Sequence, residues 1–191
     1  KKKGLYEKTI IVFTSDNGPR FGAYKGLDQT RYNHHLAGEK SLTTEGGIRV
    51  PAFIHWPAKF GNKSRTCSEV MHMTDWFPTF LTAADLKCDL DIDGEDFVSV
   101  WEGKRSLDNN MRFWAYNKTR PTLNSNCAMR QGPWKLHRPA IKEFNSWNSP
   151  ADLPLPDEVP DYQLFRIDTD PFEKNDLSED FPEKFKEMKL Q

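Results

Sequence analysis

The sequence predicts an α/β fold in which the last strands and helices of a layered core lead into a small antiparallel sheet closed by a helix. Three observations predict it. Residues 9–14, TIIVFT, are a continuous β-rich apolar run. A second run, IRVPAFIHWP (48–57), leads into the helical pattern MTDWFPTFLTAADL (73–86). The second half carries short aromatic runs separated by turn residues. Strand, long loop, strand and helix build an α/β layer, whereas short alternating runs build antiparallel pairs.

The elements follow in order. TIIVFT has the unbroken apolar character of a strand buried on both faces of a mainly parallel sheet. A Gly- and polar-rich loop spans 15–47. In the second strand Pro51 interrupts and Trp56-Pro57 terminates. In the helix, Thr74 or Asp75 can cap the start, Pro78 is tolerated in the first turn, and Phe77, Phe80, Leu81 and Ala84 form one apolar face. A polar linker around 103–110 marks a change of character, so the domains expected are 1–106 and 107–191. Strand candidates in the second are 111–116, 127–137 and 162–167, with an exposed Pro-rich loop at 148–161. In FPEKFKEMKLQ, Phe181, Phe185 and Met188 fall at i, i+4 and i+7, the spacing of a helix packed on one face.

Composition excludes some classes. Lys and Arg total 27 against 28 acidic residues, and they are mixed along the chain, so no basic stripe suits nucleic acid. Nothing approaches the ~18 consecutive apolar residues of a membrane span. With an aromatic share of 13%, the chain can bury enough surface to fold. It opens on Lys1 rather than Met, and Gly4 reads as the close of a helix, so an upstream portion is expected. Cys67, Cys88 and Cys127 lack C-x-x-C spacing; either one pairs with a cysteine elsewhere or all are buried thiols. Asn62-Lys63-Ser64 and Asn117-Lys118-Thr119 fit the glycosylation sequon.

Several motifs carry possible chemistry. Asp89, Asp91, Asp93 and Gly94 have EF-hand spacing, but the twelfth position is Val100 where a bidentate Glu is required, so an acidic turn is the better reading. His34 and His35 are adjacent and do not form H-E-x-x-H. Asp16 and Asn17 stand at the carboxyl end of the first strand, where α/β sheets gather ligands. A carboxylate beside an amide oxygen suits a hard cation, although Asp-Asn-Gly is also ordinary turn chemistry. Lys40, in a Gly-flanked loop, can present an ammonium to an anionic oxygen or simply face solvent. Gly46-Gly47 allows conformations that other residues resist. Glu45 and Arg49, four apart, can tie that turn together as an ion pair.

These pieces together resemble the sulfatase family of the alkaline-phosphatase-like superfamily. The resemblance rests on FTSDNG (13–18), Gly38-Glu39-Lys40, EGGIRVP (45–51), TDWFPTFL (74–81), DGEDF (93–97), AMRQGPWKLH (128–137) and LFRIDTDPFEKNDL (164–177), in order over nearly the whole chain. It implies that this is the C-terminal portion of a sulfuric ester hydrolase with an alkaline-phosphatase-like core. It implies that Asp16 and Asn17 are the late ligands of an active-site Ca²⁺ and that Lys40 contacts the sulfate group. Glu45, Gly46, Gly47 and Arg49 would shape the loop rather than react, and His34 or His35 could reach the substrate. Ala37 stands where the family commonly has a basic residue before the glycine. The formylglycine nucleophile, made within C/S-x-P-S/A-R, has no match in these residues and is expected on the missing N-terminal portion, so the isolated chain should be inactive. The implied substrate is a sulfated small molecule or glycan, and the implied compartment is lysosomal, secreted or periplasmic. A phosphate mono- or diesterase of the same superfamily and a non-catalytic glycan-binding relative are the alternatives.

Overall fold

A computed structural model describes residues 3–20, 32–61, 63–87, 89–107, 109–116, 126–140 and 161–191. Asn62, Cys88, the sequon at 117–119, the segment 21–31 of the long loop and most of the Pro-rich loop at 148–161 lie outside the described residues. The chain divides into two compact units, one of Lys1–Asp16 with Pro51–Asn110 and one of Asn17–Val50 with Met111–Gln191. Residues 17–50 thus fall in the second unit with the C-terminal part of the chain.

In the first unit, β1 (Ile11–Thr14) pairs antiparallel with β2 (Ala52–His55), Ile11 opposite His55 and Thr14 opposite Ala52. The run TIIVFT forms the expected strand, and its neighbour β2 runs antiparallel to it. Among the described residues its only ladder is antiparallel, and Ile11, Phe13 and Phe53 are exposed on one face. An unbroken apolar run specifies a strand, but says nothing of the direction of its neighbour. Pro57 opens a single helical turn to Phe60, consistent with a strand that stops at Trp56.

The helix of this unit runs from Trp76 to Ala83 after a 3₁₀ turn at Met73–Asp75. Its expected apolar face is corrected: Phe77 and Phe80 are exposed, whereas Asp75 and Thr79 are fully buried. Hydrogen bonding decides this. Asp75 accepts from the amides of His72 (2.6 Å) and Glu95 (2.8 Å), and the Thr79 hydroxyl accepts from the Phe97 amide (3.0 Å). A Cβ on Gly94 would lie 2.2 Å from the Thr74 carbonyl oxygen. The acidic segment 89–97 is thus bonded to the start of the helix, as a structural turn. Phe97, Val100 and Trp101 form the core, with Ile54, Phe60, Met71, Trp76 and Leu107 packed against it.

In the second unit, β3 (Met111–Tyr116), β4 (Asn126–Gln131), β5 (Trp134–Arg138) and β6 (Gln163–Arg166) form an antiparallel meander. Gly132, at φ +54°, turns the single run expected at 127–137 into a hairpin. Strand alternation gives the sheet two different faces. Met129, Leu136 and Leu164 meet Met188 of the terminal helix, Pro182–Lys189, with Phe185 packed beside them. Opposite pairs place Arg130 beside Lys135 and Ala128 beside His137 on the other, polar face.

Candidate functional site

The site is built from backbone before side chains. Gly18 donates to the Gly47 carbonyl (2.8 Å), Gly46 to that of Ala37 (2.7 Å), and Lys40 to that of Pro19 (3.0 Å). The three segments pass too closely for side chains. A Cβ on Gly18 would stand 1.8 Å from the Gly46 oxygen, and one on Gly47 would stand 2.0 Å from that of Leu42. This interlock explains Asn-Gly in one motif and Gly-Gly in the other: Gly18 yields to the Gly46-Gly47 backbone, and Gly46 and Gly47 yield to the carbonyls of residues 37–42. Gly18→Ala is expected to cost about 1–3 kcal/mol through overpacking against backbone. Thermal unfolding checks this, and a variant as stable as the parent would show the segments are not interlocked.

Asn17 opens the second unit with its side-chain Oδ1 buried, directly after the exposed Asp16. Lys40 is exposed, two hydrogen-bonded residues from that turn. His34 and His35 are exposed and left-handed (φ 57° and 62°), and their rings lie 4.8 and 5.4 Å from that of Tyr32. Among the described residues, no group of three or more His, Cys, Asp or Glu gathers as a metal site. Asp16 and Asn17 offer hard oxygen atoms that suit Ca²⁺, but as two ligands of the 6–8 that it takes.

The expected Glu45–Arg49 pair is present at 3.6 Å, with Arg49 largely exposed. It is the outer edge of a buried network that the motif reading did not contain. Lys135, fully buried, lies 2.9 Å from Glu45 and 2.8 Å from Glu173. Glu173 also accepts from the Glu45 amide (2.7 Å), and Arg130 approaches Glu45 at 3.8 Å. Burial pushes the Glu173 carboxyl above its ordinary range, against the opposing pull of Lys135. The network fastens the EGG turn to the polar face of the sheet. Lys135 and Glu173 both lie within recognised motifs, and a lysine in the middle of a strand was the signal that could have found them. A second clamp is formed by Asn126 at the start of β4, which bonds Ser41 and Thr43. Nothing in the motif pattern pointed to it.

Comparison with known proteins gives this arrangement a family. A family model described as Sulfatase matches residues 1–86. Arylsulfatase J of Mus musculus is 32% identical over 95% of this chain and 34% of its own length. The chain belongs to the sulfatase family. N-acetylgalactosamine-6-O-sulfatase of Bacteroides thetaiotaomicron is 29% identical, with 96% of this chain and 35% of that protein covered. The PsFucS1 sulfatase from Pseudoalteromonas sp. shares the fold at TM-score 0.66 and 24% identity, over 99% of this chain and 38% of that one. The chain thus spans about a third of the length of the sulfatases it matches. The α/β class, with its antiparallel sheet and terminal helix, is the alkaline-phosphatase-like arrangement of these relatives. Among the described residues no helix is long and apolar enough to cross a membrane. Cys67 and Cys127 are free thiols, Cys67 exposed.

Proposed function

We propose that this chain contributes calcium-binding and sulfate-contacting residues to a sulfuric ester hydrolase whose nucleophile lies in sequence outside these 191 residues. One observation carries the reading: the Lys40 amide bonds Pro19 while Gly18 bonds Gly47, so one loop cluster holds Asn17 and Lys40 together. Asp16 and Asn17 would hold Ca²⁺ through the carboxylate and Oδ1, with further ligands from elsewhere in the protein. When bound, the cation would neutralise charge on the sulfuryl oxygens. The Lys40 ammonium adds a second positive group, free to meet an anionic substrate from solvent. Glu45, Gly46, Gly47 and Arg49 do not react; they keep that loop in place. The substrate is a sulfated small molecule or glycan, in a lysosomal, secreted or periplasmic setting like that of the family.

Lys40→Ala in the full-length protein is expected to lower kcat/KM for p-nitrophenyl sulfate about 100-fold, the usual cost of losing one positioned charge-stabilising donor. Asp16→Ala and Asn17→Ala should each weaken Ca²⁺ binding measured by titration calorimetry. Unchanged turnover in the first variant and unchanged affinity in the other two would overturn the assignment. The isolated 191-residue chain, lacking C/S-x-P-S/A-R, should not hydrolyse the ester above an Asp16→Ala blank.

A further inference from the structure

Ser41, immediately after Lys40, has φ +78°, a left-handed conformation that a serine rarely adopts unaided. Non-glycine residues stay there only where their surroundings over-determine them. One buried side chain supplies part of those surroundings, beside the turn closed by the Leu42 amide on Glu39. Asn126 is buried, and its Nδ2 donates to the Ser41 carbonyl at 2.9 Å. Its Oδ1 accepts from the Thr43 amide at 3.2 Å and from the Thr43 hydroxyl. A single carboxamide therefore holds both ends of the 41–43 turn, and Thr43 is buried with it. On its other side, the Lys40 amide is fixed to Pro19 and the Leu42 amide to Glu39 (3.0 Å).

We propose that Asn126 is a positioning residue for Lys40. By latching Ser41 in the left-handed region it sets the direction in which the Lys40 side chain leaves the loop. The inference rests on the reading of Lys40 as the contact to the substrate's anionic group. Without the latch, Ser41 relaxes to negative φ, the chain entering the turn rotates, and the Lys40 side chain leaves the loop in a different direction. Distance from the reacting atoms does not make such an effect small, because a misplacement of about 1 Å can cost ~100-fold in rate.

The test uses Asn126→Ala, Lys40→Ala, their combination, and Asn126→Ala with Ser41→Gly in the full-length protein. Asn126→Ala is expected to lower kcat/KM for p-nitrophenyl sulfate about 10-fold or more. It should have no further effect in the Lys40→Ala background, because a residue acting through another is non-additive with it. Ser41→Gly should restore most of the loss, since glycine takes positive φ without the latch. A merely structural Asn126 would add its loss to that of Lys40→Ala and would gain nothing from the glycine. If Lys40→Ala is silent, the reading of Lys40 fails; if it is damaging and Asn126→Ala is silent or additive, the positioning role fails. Amide hydrogen exchange on the full-length protein reads the latch without turnover. Protection of the Lys40 amide should fall in Asn126→Ala and return with Ser41→Gly, and unchanged protection would overturn the proposal.

Discussion

Lys135→Met is expected to destabilise the second unit by about 3–5 kcal/mol, the cost of removing one partner of a buried ion pair. The side chain is fully buried between Glu45 (2.9 Å) and Glu173 (2.8 Å). Its removal leaves two carboxylates facing each other, since the Glu45 amide already donates to Glu173. Arg130, at 3.8 Å from Glu45, compensates only at the edge. A loss of this size is a large part of the roughly 5–15 kcal/mol that holds a domain together. Glu173→Gln is the milder probe, because it removes one of the two negative charges and keeps a side chain of the same shape. Combining it with Lys135→Met should recover part of the loss, as expected of coupled neighbours. Urea unfolding of the 191-residue chain measures all three, and a cost below about 1 kcal/mol for Lys135→Met would show that the network contributes little.

The second large effect is a loss of stability in mild acid through His137. This histidine is buried on β5, and its pKa is lowered from 6.5 to about 4, first by burial and then by the Lys135 charge, with Gln163 acting in the opposite direction. The folded protein therefore keeps the ring neutral at pH values where the unfolded chain protonates it. The sign follows from linkage: the unfolded state binds more protons between the two pKa values, so stability falls as pH falls. The contribution is complete above about pH 6.5 and is lost by about pH 4, below which it changes no further. Its full size is about 3 kcal/mol, from roughly 1.4 kcal/mol per pKa unit. Carboxylates also titrate near the lower end, so the useful measurement is the difference between parent and His137→Phe. That difference should slope between pH 6.5 and pH 4 and be flat above; a flat difference throughout would rule out a neutral buried His137.

Much of the fold could be read from local signals. The strands at 111–116 and 162–167, the terminal helix and the close of β2 before Pro57 each follow from periodicity or proline. The terminal helix held because its apolar spacing matched its burial: Met188 reaches the core and Phe185 packs beside it. The helix at 76–83 did not, because its inward face is set by hydrogen bonds to residues about twenty positions later in the chain. Apolar periodicity cannot see a buried aspartate that satisfies distant amides. For the same reason the apolar run at 9–14 identified a strand but not that β2 would pair with it antiparallel.

The candidate site divides in the same way. By itself the sequence pointed to the family and singled out Asp16, Asn17, Lys40, Glu45, Gly46, Gly47 and Arg49 as the candidate constellation, because residue types in fixed order are a local record. Only the tertiary structure decided why the glycines are there and what holds Glu45. Gly18 and Gly46 are nearly thirty residues apart, yet a Cβ on Gly18 would strike the Gly46 backbone, and one on Gly46 would strike the carbonyls of Ala37 and Gly38. Lys135 and Glu173 lie about 90 and 130 positions beyond Glu45, and Asn126 lies more than 80 beyond Ser41. Burial is what makes these partners obligatory: a charge or amide removed from water must find its counterpart wherever the fold brings one.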